Sequence, residues 1–302
     1  AMGWLDRTRL RDRALAVLRE IGADIDPDVP VGQLGTGREQ LVQIAAAVGT
    51  GARVIVMDEP TSVKGRARPG APEVEAAVER RRIDVGELTL DVHLAGPADA
   101  PLVVLLHGFP ESWWSWRHQI AALSSRFRVA APTLRGYGAS DRPPKVSDYR
   151  MDHLVGDVAG LVRTLGRDRA RIVAHDWGGP VSLGWALQHR PQLAGVVLLN
   201  TAVHQPMGAA APGLIRVARS RPMLWPTTIG TPGFIAGTTL LSAPDMPREV
   251  ARAYRAPYRG RQRRRAVGQF VADIPIEEVT GGYYYRTDFT LEDGVVVHDY
   301  LA

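Results

Sequence analysis

Apolar and polar positions along this chain change period several times, and each change marks an element. Leu10, Ala14, Val17, Leu18 and Ile21 recur at helical spacing, which predicts a helix over Trp4–Ile21 closed by Gly22. A helix over Leu41–Val48 and a strand through Val54-Ile55-Val56-Met57 follow. Residues 63–82 carry Gly65, Pro69, Gly70, Pro72 and a charge run, which is linker composition. A second logic then begins. Ile83–Val85 and Leu88–Leu94 flank Gly86-Glu87 as a β-hairpin. Leu102–Leu106 reads as a buried strand, Trp116–Leu123 as a helix and Arg128–Pro132 as the next strand. Leu154, Val158, Leu161, Val162 and Leu165 share one face of a helix over 152–165. The run Ile172-Val173-Ala174 is a strand, followed by a helix to His189 and a strand at Val196–Leu199. Such alternation predicts a mostly parallel sheet with helices on both faces.

From Ala202 the pattern breaks into short helical pieces punctuated by prolines, among them Pro206, Pro222, Pro232, Pro247, Pro257 and Pro275. An insertion after a sheet strand, near the carboxyl ends, is placed to act as a lid. The tail reverts to strand pattern. Tyr283–Leu291 and Val295–Tyr300 flank Glu292-Asp293-Gly294, a hairpin signal. The domain reading is therefore 1–62, a linker 63–82, a core 83–201, a helical cap 202–277 and a β-hairpin tail 278–302.

Composition narrows the chemistry. The 302 residues suffice for one large α/β domain or two smaller ones. There is no cysteine, which excludes disulfides, thiolate metal sites and a cysteine nucleophile. No apolar run reaches the roughly 18 residues of a membrane span, and the N-terminus lacks a signal-peptide apolar core, so the expectation is a cytoplasmic protein. The net charge of +5 comes mainly from arginine, with Lys64 and Lys145 the only lysines. Arginine runs at 80–82 and 259–265 have no aromatic stacking platform beside them, which favours solvated helix faces over a nucleic-acid partner. No metal or cofactor site is expected.

Two stretches carry chemistry. In the first, the strand ending in Asp58-Glu59 delivers two acids to its C-terminal edge, the arrangement with which nucleotide hydrolases hold Mg²⁺ and activate water. Leu34-Gly35-Thr36-Gly37-Arg38-Glu39-Gln40 and Asp58-Glu59-Pro60-Thr61-Ser62 resemble, at matching spacing, the signature loop and Walker B end of the ATP-binding subunit of ABC importers, with Gly35 where serine is usual. No G-x-x-x-x-G-K-[ST] loop precedes them, so ATP lacks its primary cradle. Residues 1–62 read as an ATPase-like α/β fragment that is not expected to hydrolyse ATP alone.

The second stretch is Arg171-Ile172-Val173-Ala174-His175-Asp176-Trp177-Gly178-Gly179. A buried strand runs into a tight turn that opens a helix, and Pro180 suits the first helical turn. A polar residue at such a tip is held exposed at a helix N-terminus, the geometry of a nucleophile elbow. Here that residue is Asp176, a carboxylate able to attack carbon and form an ester. The helix N-terminus helps keep it ionised.

His107-Gly108-Phe109-Pro110-Glu111-Ser112-Trp113-Trp114-Ser115-Trp116-Arg117, Arg135-Gly136-Tyr137-Gly138 and His175-Asp176-Trp177-Gly178-Gly179 resemble, in order, the motifs of epoxide hydrolases of the α/β-hydrolase superfamily. The resemblance covers about 83–276. It implies an α/β-hydrolase-type sheet with a helical cap, a small apolar epoxide as substrate and Asp176 as nucleophile. It further implies backbone N–H groups of Phe109 and Trp177 as oxyanion hole, and a cap tyrosine, Tyr254 or Tyr258, as the acid. His107 would orient its loop, and His175 reads as a packing residue. The sequence then departs from the family. No acidic loop followed by a histidine loop is visible after Pro275, leaving only His298-Asp299 inside a predicted strand. The sheet is expected to be C-terminally incomplete and its exposed edge prone to self-association. Ester formation with little hydrolysis is the expected outcome. The rival readings are a haloalkane dehalogenase, for which Trp177 would be a halide donor, and an inactive composite of unrelated pieces.

Overall fold

The computed structural model describes residues 7–20, 23–30, 33, 42, 54–57, 78–201, 213–273 and 295–298. The ATPase-like motifs at 34–40 and 58–62, most of the linker and the first strand of the predicted tail hairpin lie outside these residues. Helix α1, Arg7–Glu20, forms where the periodicity places it, and its Leu18 packs with Ala23 and Ile25 in a small cluster of its own.

Eight strands make one sheet. They are β1 (Val54–Met57), β2 (Glu79–Asp84), β3 (Thr89–Ala95), β4 (Leu102–Leu106), β5 (Arg128–Thr133), β6 (Ala170–His175), β7 (Leu193–Leu199) and β8 (Val295–His298). Their order is β2-β3-β5-β4-β6-β7-β1-β8. The β2–β3 hairpin and the β3–β5 pair are antiparallel, and all other neighbours are parallel. The hairpin closes on a turn in which the Val85 N–H donates to Leu88 O at 3.0 Å, with Gly86 at φ 112°. β2 begins inside the predicted linker. Its arginines are tied to carboxylates, Arg80 to Asp91 at 2.6 Å and Arg82 to Asp141 at 2.6 Å, so that charge run is a paired edge strand.

The alternation of strand side chains sorts the core into two layers. Leu102, Val104 and Leu106 of β4 face the larger core, shared with Leu154, Val158 and Leu161 of α3 (Met151–Thr164) and Val181 and Trp185 of α4 (Gly178–Gln188). Val103 and Leu105 face the opposite layer under Trp116, Ile120 and Leu123, the last two on α2 (Arg117–Leu123). β4 is buried on both faces and accordingly reads as a continuous apolar run.

The cap segment runs through α5 (Gly213–Arg219), α6 (Arg221–Leu224), a π-helical turn at Trp225–Gly230, α7 (Gly233–Ser242), α8 (Arg248–Arg255), a 3-10 turn at Ala256–Tyr258 and α9 (Arg261–Asp273). Prolines open these pieces, with Pro232 and Pro247 just before α7 and α8 and Pro257 early in the 3-10 turn. Phe234, Ile235, Ala266, Val267, Phe270 and Val271 belong to the same core as β4 and α3, so the cap is packed onto the sheet. No described helix is long and apolar enough to cross a membrane.

Candidate active site

β6 ends at His175 and α4 begins at Gly178, leaving Asp176 at the tip of the turn with φ 49°. That left-handed backbone is uncommon for a residue with a side chain and is held by its surroundings. The Gly179 N–H donates to Asp176 O at 2.9 Å and the Thr201 hydroxyl donates to the same oxygen at 2.6 Å. Two glycines let the loops meet. A Cβ on Gly178 would lie 2.5 Å from Leu106 O, and one on Gly108 would lie 2.5 Å from Asp176 Cβ. Only hydrogen fits at either position.

The Phe109 N–H donates to Asp176 Oδ1 at 2.6 Å. The Trp177 N–H also bonds the carboxylate. The structure thus brings Asp176, Phe109 and Trp177 together as the sequence reading places them. Burial pushes the Asp176 carboxyl above the ordinary range, more than the charge of His175 and the two backbone donors pull it down. The helix terminus and its amides therefore offset desolvation only in part.

Sequence reading assigns His175 to packing, and here the structure differs. Its Nδ1 lies 3.2 Å from Glu111 Oε2, which also accepts from the Gly108 N–H at 3.0 Å. Burial lowers the His175 pKa, but the charge and hydrogen bond of Glu111 outweigh it and raise the value to about 8. Burial likewise pushes Glu111 up, yet His175 and the Gly108 N–H bring it down to about 2. A charged pair therefore sits beside the nucleophile. Its members are 64 residues apart, and no spacing rule in the sequence announces them. His107 does orient its loop. Its Nδ1 lies 2.7 Å from Gly108 O and its Nε2 accepts from the Leu134 N–H at 2.9 Å, while burial lowers its pKa to about 4 and keeps it neutral.

The cap tyrosines face the loop that carries Glu111. Tyr258 is buried and its hydroxyl donates to Glu111 O at 2.6 Å. Tyr254 stands edge-on to Trp114, with ring centroids 5.4 Å apart, and the nearby Arg117 guanidinium favours its ionised form. Tyr254 lies on α8 and Tyr258 on the 3-10 turn that continues it. Burial raises the pKa of both phenols. Aromatic rings wall the space between cap and elbow. Phe270 of α9 stacks on Phe109 at 5.4 Å and meets Trp177 edge-on at 5.3 Å. Tyr137, also against Phe270 at 5.5 Å, is fully buried, and its hydroxyl has no partner among the described residues.

His298 stands apart. The ladder pairs His175 with Leu199, Leu199 with Met57 and Met57 with His298. Three strand spacings of about 4.8 Å put the His298 backbone about 14 Å from that of His175. Among the described residues no group of three or more His, Asp or Glu side chains is arranged to hold a metal ion.

Residues 101–244 match the alpha/beta hydrolase fold family. Epoxide hydrolase 3 of Xenopus tropicalis is 42% identical over 106 residues, which cover 35% of this chain and 29% of that protein. Epoxide hydrolase B of Mycobacterium tuberculosis is 53% identical over 98 residues, covering 32% of this chain and 28% of that protein. The match thus spans less than a third of the length of either relative. A structure described as one of the novel epoxide hydrolases of the alpha/beta hydrolases superfamily in metagenomes from hot environments superposes with a TM-score of 0.55. It is 28% identical and covers 70% of this chain and 76% of that one. The haloalkane dehalogenase DbeA from Bradyrhizobium elkani USDA94 has a TM-score of 0.58 at 23% identity over 68% of this chain and 74% of its own, a likeness of fold alone. The chain has the alpha/beta hydrolase fold, with epoxide hydrolases among its homologues.

Proposed function

We propose that this chain opens epoxides through Asp176, forming an alkyl-enzyme ester that it hydrolyses poorly. The observation that carries this is a carboxylate at the elbow, φ 49°, with Oδ1 on the Phe109 N–H at 2.6 Å. An Asp176 oxygen attacks one epoxide carbon, the carbon–oxygen bond of the ring breaks, and the new alkoxide takes a proton from a cap tyrosine. Tyr254 is favoured over Tyr258. The Arg117 guanidinium at its hydroxyl would stabilise the tyrosinate left behind, whereas the Tyr258 hydroxyl is committed to Glu111 O. The charged His175 keeps Asp176 more acidic than burial alone would. Hydrolysis then needs water at the ester carbonyl carbon. The N–H groups of Phe109 and Trp177 would hold the resulting oxyanion. The two histidines beside the elbow are not free to activate that water: His107 is neutral with both ring nitrogens engaged, and His175 is held as a cation by Glu111.

Intact-mass spectrometry after incubation with excess styrene oxide tests this reading. The expected result is one adduct per chain, absent in Asp176→Asn. Sustained diol release without a trapped adduct would replace the impaired reading with a turning-over hydrolase. Absence of both adduct and diol would sink it, and halide release from a haloalkane in its place would favour the dehalogenase. Residues 1–62, read as an ABC ATP-binding fragment without its phosphate loop, contribute no step to this chemistry. A nucleotide titration checks that they bind none.

A further inference from the structure

A cavity of about 720 Å³ opens in the cap, walled by Arg248, Arg252, Arg255, Arg259, Arg264 and Tyr258 together with small and apolar residues. Among the described residues no carboxylate lines it, although Asp245 and Glu249 lie on the same stretch of chain. Arg248, Arg252, Arg255 and Arg259 follow at spacings of four, three and four, so a helix continuing into a turn carries them along one side. These four are exposed, and none forms an ion pair among the described residues. Arg264 is different. It is 7% exposed, and its guanidinium donates to Ile229 O at 3.0 Å, Tyr258 O at 3.2 Å and Gly230 O at 3.3 Å, and to no carboxylate among the described residues. It pins α9, the π-helical turn and the 3-10 turn into the floor of the cavity with a buried positive charge.

A concave wall of one sign concentrates counter-ions. Guanidinium forks match the oxygens of phosphate and carboxylate in pairs, which a lysine wall would not. The size falls within the range of about 300–1,000 Å³ usual for small-ligand pockets. We propose that this cavity binds a small multivalent oxyanion, a phosphate or polycarboxylate group, held by Arg248, Arg252, Arg255 and Arg259 over Arg264. Like charges at helical spacing repel one another, and a ligand carrying two or more negative charges relieves several such pairs at once. Tyr258 forms the shared wall between this cavity and the Glu111 loop, so occupancy braces the turn that carries it. The proposal does not depend on the chemistry assigned to Asp176, which does not line the cavity.

Calorimetric titration of the full chain at constant ionic strength with inorganic pyrophosphate, citrate and acetate tests it. Pyrophosphate or citrate is expected to bind with one site per chain, and acetate at least about tenfold more weakly. Tighter binding of pyrophosphate marks a phosphate ligand, and tighter binding of citrate a polycarboxylate. The double variant Arg252→Glu/Arg255→Glu should lose at least about tenfold in affinity. Arg252→Gln/Arg255→Gln should lose less, and the distant Arg126→Glu nothing. Unchanged far-UV circular dichroism confirms that the variants fold. Equal affinity for acetate, unchanged binding in the double variant, or no saturable binding of any of the three anions would overturn the proposal.

Discussion

His175 ends β6 and Asp176 follows it on the turn, yet they depend on opposite neighbours. Asp176 is held by amides and a hydroxyl around one turn, and His175 by Glu111 from another loop. The sign of the pH dependence follows. His175 is raised from 6.5 to about 8, so its contribution to stability is full below 6.5 and is lost as pH rises through about 8. Glu111 is lowered from 4.5 to about 2, so its contribution is full above 4.5 and is lost as pH falls through about 2. The difference in melting temperature between the wild type and Glu111→Gln should therefore be largest between 4.5 and 6.5 and shrink above about 8. A difference that stays flat from acid to alkaline pH would contradict the ion pair. Asp176 was legible as an elbow residue because a strand–turn–helix with two glycines admits few geometries, whereas Phe109 and Trp177 were read from the motif resemblance. Glu111–His175 was not, because it joins two loops that only the sheet brings side by side.

Between elements, Arg135 forms a buried tie. It is 1% exposed on the loop after β5 and donates twice to Asp157 of α3, each at 2.7 Å, and once to Glu87 at 3.1 Å. Its Nη1 donates to Asp148 O, and Nη2 shares a hydrogen with His153 O. Burial pushes the Asp157 carboxyl up against the pull of Arg135, so the pair holds its place through hydrogen bonds that satisfy both partners. Asp157→Ala leaves a buried cation and should cost about 3–5 kcal/mol in urea unfolding, while Arg135→Met/Asp157→Leu should recover much of that loss. A single-variant cost below about 1 kcal/mol would mean that water reaches the site. The apolar stripe predicted a helix over 152–165, and α3 spans Met151–Thr164, because one buried face dictates the period. Arg135 was read only as part of a loop motif. A buried arginine looks like any surface arginine until its partner is known.

At the scale of the whole molecule, the sheet is assembled from separated parts of the chain. β1, from the N-terminal stretch, pairs in parallel with β7 through Val54–Val196 to Met57–Leu199, and β8 pairs on its other side. A parallel strand left at an edge offers its amides and carbonyls to another molecule, and β1 covers that edge of β7. Val56→Pro removes a donor and should open the β7 edge. We expect a larger oligomeric fraction by light scattering after size exclusion, with the cap and elbow retained. An unchanged size distribution would mean that β1 does not protect the sheet.

Strand and helix periods, the proline-punctuated cap and the aspartate elbow were determined by the sequence alone, because each rests on local geometry: which face is buried, which backbone a glycine or proline permits. Tertiary structure decided the rest. It placed β1 between β7 and β8, turned the 80–82 arginine run into a paired edge strand, set Glu111 on His175, and gathered Arg248, Arg252, Arg255, Arg259 and Arg264 around one cavity. Each of these joins groups from different elements, and their energies arise only when desolvation brings them together, which no local pattern encodes.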